Sequence, residues 1–277
     1  VVNKQGHGAA VIAEESTAWP MVTGRPEDGG LGFKFKWNMG WMHDFLEYMK
    51  LDPYFRKYNH NRMTFSLTYF TSENYILVLS HDEVVHLKCS MINKMPGLGE
   101  DKFSNLKAGY TFMLGHPGKK LLFMGQDFGQ WHEWDEKVSL DWYLAEEESH
   151  KKLQEYVRDL LHIYKKYPCL YQLDNDWNGF QWINANDGDR SIFSFIRKDE
   201  TGKKNLLFVV NFTPVDRPDY RVGVPKRCKL SLLLDNVHGA YKPSQCPTYT
   251  SVKSECDGQP YSISYPLGGY GTAIFRF

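Results

Sequence analysis

Three short apolar runs in the first half of the chain each finish in polar or ionisable side chains, and this arrangement constrains the fold more than any other feature. Ala9-Ala10-Val11-Ile12-Ala13 leads into Glu14-Glu15, Tyr75-Ile76-Leu77-Val78-Leu79 into Ser80-His81-Asp82-Glu83, and Leu121-Leu122-Phe123-Met124 into Gly125-Gln126-Asp127. An uninterrupted apolar run of this length marks a strand buried on both faces, and such strands belong to parallel sheets covered by helices. Parallel α/β folds place their chemistry at the carboxyl ends of strands, so the terminating groups are candidate site residues as well as strand stops. A weaker, alternating candidate strand, Phe33-Lys34-Phe35-Lys36-Trp37-Asn38, lies between the first two.

The intervening segments carry helical periodicity. Apolar residues at 41, 42, 45, 46 and 49 predict a helix over 41–50, closed by Asp52-Pro53. Phe103, Leu106, Tyr110, Met113 and Leu114 fall on one face of a predicted helix over 102–114, and Leu153, Tyr156, Val157, Leu160, Leu161 and Tyr164 make a stripe over 149–167 that Pro168 ends. These aromatic and Met stripes read as core packing. From about residue 173 the texture is β: the runs 191–196 and 206–212 flank a polar connection containing Gly202, and further runs follow at 229–234, 261–265 and 272–277. The chain therefore divides into residues 1–172, of α/β character, and residues 173–277, an all-β domain.

Charge removes several classes of partner. Lys+Arg and Asp+Glu number 33 each, so the formal net charge is zero. A nucleic-acid-binding chain is expected to carry a basic footprint, and a membrane span needs roughly 18 consecutive apolar residues; neither is present. The start, Val1-Val2-Asn3-Lys4-Gln5, lacks the charged-then-apolar layout of a secretion signal. The five cysteines, Cys89, Cys169, Cys228, Cys246 and Cys256, form no C-x-x-C pair and read as reduced thiols in a cytoplasmic setting.

Neighbouring side chains of a strand point to opposite faces, so of Glu14 and Glu15 one is expected to act and the other to support. His81-Asp82-Glu83, with His86 beyond, allows a metal site, a proton-transfer site or a hydrogen-bonded structural cluster. His81 and His86 do not match the H-E-x-x-H spacing, which argues against zinc; no Gly-rich phosphate cradle and no G-x-S-x-G elbow occurs in the chain. These residues alone leave proton transfer and a structural cluster both open.

Several strings carry a resemblance. Ile12-Ala13-Glu14-Glu15-Ser16-Thr17, the segment from Gly29 through Lys36-Trp37-Asn38-Met39-Gly40-Trp41-Met42-His43-Asp44, Leu79-Ser80-His81-Asp82-Glu83-Val84-Val85-His86, and Lys120-Leu121-Leu122-Phe123-Met124-Gly125 together closely resemble the 1,4-α-glucan (glycogen or starch) branching enzymes of the α-amylase superfamily. The likeness continues through Ser139-Leu140-Asp141-Trp142 and Asn211-Phe212-Thr213-Pro214 and covers nearly the whole chain. It implies a partial (β/α)8 TIM barrel, its fifth to eighth strands, in residues 1–172, followed by an all-β sandwich domain. It assigns Glu14 as acid/base, Asp82 as the carboxylate that stabilises the oxocarbenium-like transition state, and His81 as a binder of the sugar at the cleaved linkage. Retaining glycosyl transfer needs such a proton donor on the leaving oxygen beside retained negative charge.

The family's nucleophile belongs to a D-G-F-R-x-D type motif that is nowhere in this chain, which has only thirteen residues before Glu14. Without a nucleophile, covalent catalysis has no first step, so the isolated 277 residues are expected to have negligible branching activity. After His86 this chain has Leu87-Lys88-Cys89 where the resemblance more often has Gly-Lys. The partner implied is an α-glucan, with no cofactor and no metal, although a structural calcium is left open. Two rival readings are a non-catalytic glucan-binding or assembly fragment and an amylase-type hydrolase. The first would use Trp131, Trp134 and Trp142 on sugar faces, yet Trp142 is expected to be packed. A half-barrel exposes two edge strands, so either self-association or dependence on the missing half is expected.

Overall fold

The computed structural model describes residues 8–277. The extreme amino-terminal residues, considered above for a secretion signal, lie outside that range. The first part is built on four parallel strands hydrogen-bonded in sequence order: β1 (Ile12–Ala13), β2 (Phe35–Trp37), β3 (Tyr75–Leu79) and β4 (Lys119–Leu122). β3 coincides with its predicted run. β1 is shorter than expected, because Ala9, Ala10 and Val11 are not within a strand. β4 begins two residues earlier than its apolar run and leaves Phe123 and Met124 beyond the strand, since the register Ile76↔Lys119 brings two lysines into the ladder.

Helices α1 (Met39–Lys50), α2 (Pro53–Arg56), α3 (Arg62–Phe65), α4 (Glu100–Gly115) and α5 (Glu148–Lys166) fill the connections. Asn38 caps α1, its side chain accepting from Trp41 N at 2.9 Å. Asp52-Pro53 both closes α1 and opens α2: the Asp52 carboxylate accepts from Tyr54 N at 2.9 Å, and proline takes the first helical position, where it loses no hydrogen bond. α5 buries Leu153, Tyr156, Val157 and Leu160 of the predicted stripe together with Ile163, whereas Leu161 is exposed and Tyr164 half-buried, so the buried face is rotated slightly from the one expected. α4 departs from expectation. Besides the anticipated face it buries Asn105, Ala108, Gly109 and Phe112, so it is enclosed all round.

The β part explains that enclosure. A seven-stranded sheet runs in the order β10 (Gly239–Ala240), β9 (Lys229–Asp235), β13 (Thr272–Arg276), β7 (Leu206–Asn211), β6 (Ile192–Arg197), β5 (Phe180–Asn184), with β11 (Thr248–Thr250) also on β9. A two-stranded sheet of β8 (Arg217–Val224) and β12 (Tyr261–Leu267) stands apart. Alternation along β6, β7 and β13 sends Ile192, Ile196, Leu207, Val209, Ala273 and Phe275 into one core with Tyr220, Val222 and Ile263, completing a sandwich. The other parity, Phe193, Phe195, Phe208, Val210 and Ile274, joins a second core with α1, α4 and α5. The large sheet is thus the middle layer of three. At the end of α4 a Cβ on Gly115 would stand 2.8 Å from the rings of Phe195 and Phe208, so glycine permits this close approach.

Two buried arginines bridge the layers. Arg197 of β6 donates from Nη1 to Gly115 O (2.9 Å) and from Nη2 to Asp174 Oδ1 (3.0 Å). Arg56 of α2 donates from Nη1 to Phe212 O (2.7 Å) and Asn105 Oδ1 (3.0 Å), and from Nη2 to Met49 O (2.7 Å).

Two buried histidines make the fold acid-sensitive. His116 is bonded at Nδ1 to Pro117 O (2.9 Å) and at Nε2 to Ser66 Oγ (2.9 Å), and burial lowers its pKa to about 3. His60 stacks on Phe193 at 3.9 Å, and burial lowers its pKa to about 4. The unfolded chain takes up protons at both imidazoles near pH 6.5 that the folded chain refuses, so stability is full above that pH and falls as the pH drops toward 4. Denaturant titrations are expected to give a stability about 3 kcal/mol lower at pH 5 than at pH 7. Replacing His116 with glutamine should flatten the dependence; an unchanged slope would show that burial of this imidazole is not its source.

Candidate active site

Glu14 and Glu15 follow β1 directly and have different environments. Glu15 Oε2 lies 2.7 Å from Lys36 Nζ, and its Oε1 accepts from Thr17 N at 2.7 Å. Lys36, 5% exposed on β2, also donates to Thr17 O at 3.0 Å. The hydrogen bond from Lys36, reinforced by Thr17, holds the Glu15 carboxyl down to about 2. Glu15 is therefore a fixed anion that staples the turn after β1 to β2. Glu14 is exposed and makes no hydrogen bond or ion pair among the described residues. Of the pair, Glu15 supports and Glu14 is left available.

The end of β3 separates its three acids and bases in a similar way. Residues His81–Val84 form a single 3-10 turn closed by a capping box, in which Glu83 Oε2 accepts from both Ser80 N and Ser80 Oγ at 2.7 Å. Glu83 is buried by that work. His81 and Asp82 stay about half exposed, with His81 Nε2 3.3 Å from Asp82 Oδ1. The His81 ring packs near Phe123 and Trp134, at centroid distances of 5.8 and 6.3 Å. Asp127, beyond β4, accepts instead from Gln154 Nε2 of α5 at 3.3 Å, so that carboxylate faces the helix layer.

His81 and Asp82 open on a cleft of about 970 Å³ shared with His86, His132, Glu133 and Trp134. Glu14 is at the same, carboxyl edge of the sheet but two strands away, about 10 Å at ordinary strand spacing, and it does not line this cleft. A second cavity of about 670 Å³, walled by Trp19, Trp37, Tyr69 and Tyr75, includes Glu15 and Lys36. Among the described residues no group of three or more His, Cys, Asp or Glu is gathered to hold a metal ion, and all five cysteines are free thiols.

Trp131 and Trp134 are half-buried, Trp131 against Phe103 and His150. Trp142, expected to be packed, is 58% exposed and leans on Phe128 with a centroid distance of 5.4 Å. It follows β4 on the surface turn Trp142–Glu146, where no second layer covers it. Sequence reasoning missed Glu133 altogether. Its carboxylate binds backbone amides across the cleft mouth, and no side-chain spacing announces such a contact.

Comparison with known proteins bears on this geometry. Residues 182–277 match the family model of the α-amylase C-terminal all-beta domain. The chain is 58% identical over 269 residues to the 1,4-alpha-glucan branching enzyme GlgB of Butyrivibrio fibrisolvens, covering 96% of this chain and 42% of that protein. It is 54% identical over 269 residues to the enzyme of the same description from Halothermothrix orenii, covering 96% of this chain and 43% of that protein. The chain thus spans about two fifths of the length of these relatives. Among solved structures, an α-amylase from H. orenii superposes with a TM-score of 0.62 at 14% identity, over 99% of this chain and 54% of the other. AmyP in complex with maltose superposes with a TM-score of 0.59 at 13% identity, over 88% of this chain and 50% of the other. These two likenesses concern fold alone.

Proposed function

We infer, from the premise that this chain is the carboxyl-terminal portion of a member of the 1,4-alpha-glucan branching enzyme family, that it supplies the acid/base and charge-stabilising half of a retaining glucan transfer. The four parallel strands are then the fifth to eighth strands of an eight-stranded barrel within residues 1–172, and residues 173–277 are the appended sandwich domain. The observation that carries the reading is the division of labour between Glu14 and Glu15. One glutamate is locked as an anion by Lys36, and the other is exposed at the sheet edge that also carries His81 and Asp82.

In this reading Glu14 donates a proton to the oxygen leaving the cleaved α-1,4 linkage while a carboxylate of the complete enzyme attacks the anomeric carbon. Glu14 then takes the proton from the 6-hydroxyl that attacks the glycosyl intermediate, giving an α-1,6 branch. Asp82 provides negative charge beside the developing oxocarbenium ion, and His81 donates a hydrogen bond to the sugar there. The chain's net charge of zero suits a neutral polysaccharide, and relatives named 1,4-alpha-glucan branching enzymes at 54–58% identity support α-glucan as the ligand class. The five free thiols are in keeping with a cytoplasmic setting, which belongs to the same proposal.

The test is a chimera in which these residues replace the 42% of the B. fibrisolvens relative that they match. Incubated with amylose, it is expected to create new α-1,6 linkages, read by a shift in the iodine spectrum and by shortened chains after debranching. Reducing ends without new branch points would instead mark a hydrolase.

A further inference from the structure

Beside the cleft, three non-glycine residues within four positions take left-handed backbone: His86 (φ 56°), Leu87 (φ 65°) and Cys89 (φ 68°). A bulky Leu rarely adopts such a φ, and the surrounding structure must hold it there. Nor does burial hold it, because the Leu87 side chain is 95% exposed. Besides the turn bond from Lys88 N to Val85 O (3.2 Å), one carboxylate holds two amides of the segment. Glu133 accepts from Leu87 N through Oε2 (2.9 Å) and from Cys89 N through Oε1 (2.6 Å). The next residue, Trp134, donates its N–H to Val84 O at 2.9 Å, and Lys94 Nζ donates to Lys88 O. Lys88, fixed between the two clamped amides, extends its ammonium to Asp82 O at 2.8 Å. A continuous set of bonds thus links Glu133 to the backbone of the residue that carries the charge-stabilising carboxylate.

We propose that Glu133 is a positioning residue for the His81–Asp82 pair: its carboxylate clamps residues 86–89 in a strained path, from which Lys88 braces the Asp82 backbone. The proposal rests on the functional reading above for what Asp82 does, but the clamp itself is independent of that reading. Strain of this kind, to which the Glu133 carboxylate contributes two of the restraining bonds, sets the geometry of a functional rim without contributing to the core.

Amide hydrogen exchange on the 277-residue chain tests the clamp directly. In E133A, exchange at residues 86–89 is expected to rise by about tenfold or more while α4 and β7 keep their protection. E133Q, with one carbonyl oxygen left as acceptor, should fall between. Unchanged exchange in both variants overturns the proposal. In the active chimera, E133A should lower kcat by up to about a hundredfold with KM little altered. Adding L87G, which accepts the left-handed conformation freely, should recover about tenfold of that loss. Faster exchange with an unchanged kcat, or a loss that L87G does not relieve, also overturns it. Absence of branching in the unmutated chimera counts against the functional reading alone, and the exchange result then still decides for or against the clamp.

Discussion

Glu14→Gln in the active chimera is expected to lower the branching rate by about a hundred- to ten-thousandfold, the range that loss of a positioned general acid produces. The glutamine preserves volume and polarity, so the loss isolates the proton. Glu15→Gln is the informative companion. It removes the Lys36 ion pair and loosens the turn at Thr17, yet leaves a carboxyl at position 14, so its effect should be far smaller than that of Glu14→Gln. A substrate whose leaving group needs no protonation, such as α-glucosyl fluoride, should restore most of the first step to the Glu14 variant and nothing to an Asp82→Asn variant. Equal losses in the Glu14 and Glu15 variants would refute the division of labour.

The second large effect concerns the core. Arg56→Met is expected to destabilise the chain by about 3–4 kcal/mol, because it strands the buried carbonyls of Met49 and Phe212 and the amide of Asn105, each of which loses its donor. For a chain of this size that corresponds to a fall in Tm of about 10 °C, measurable by calorimetry. Arg56 is fully buried, faces the rings of Tyr48 and Phe212 at 5.4 and 5.8 Å, and makes no ion pair among the described residues, so its guanidinium acts mainly through carbonyls and π faces. A change in Tm of only a degree or two would mean that water replaces those donors.

How much of this was legible beforehand depended on whether the information was local. β3 could be read to the residue because five consecutive apolar positions end at a polar turn. The Asp52-Pro53 signal was equally plain, being a cap and a proline in adjacent places. β8 was missed because it is polar along much of its exposed length and contains Pro218, so neither an apolar run nor clean alternation marks it. β5 escaped for a similar reason, since Gln181 and Asn184 interrupt its apolar residues. The full enclosure of α4 could not be anticipated, because the layer that covers its far face comes from residues about a hundred positions later. In the site, His81 and Asp82 were found as neighbours in sequence, whereas Glu133 reaches amides 44 and 46 positions away through the backbone. Motifs encode side chains, and a clamp on main-chain amides has no motif.

The position of β13 has a consequence for how the polypeptide is made. Residues Thr272–Arg276 lie in the interior of the large sheet, paired on one side with β7 and on the other with β9. Until that strand has left the ribosome, β7 and β9 have no common neighbour, Ile274 is missing from the core beneath the helices, and neither layer can close. Strands that depend on such distant pairing form late and expose unpaired edges meanwhile. The sheet edge bearing Glu14, His81 and Asp82 is synthesised well before β13, so a chain interrupted before Thr272 is expected to leave the facing edges of β7 and β9 unpaired and open to other strands.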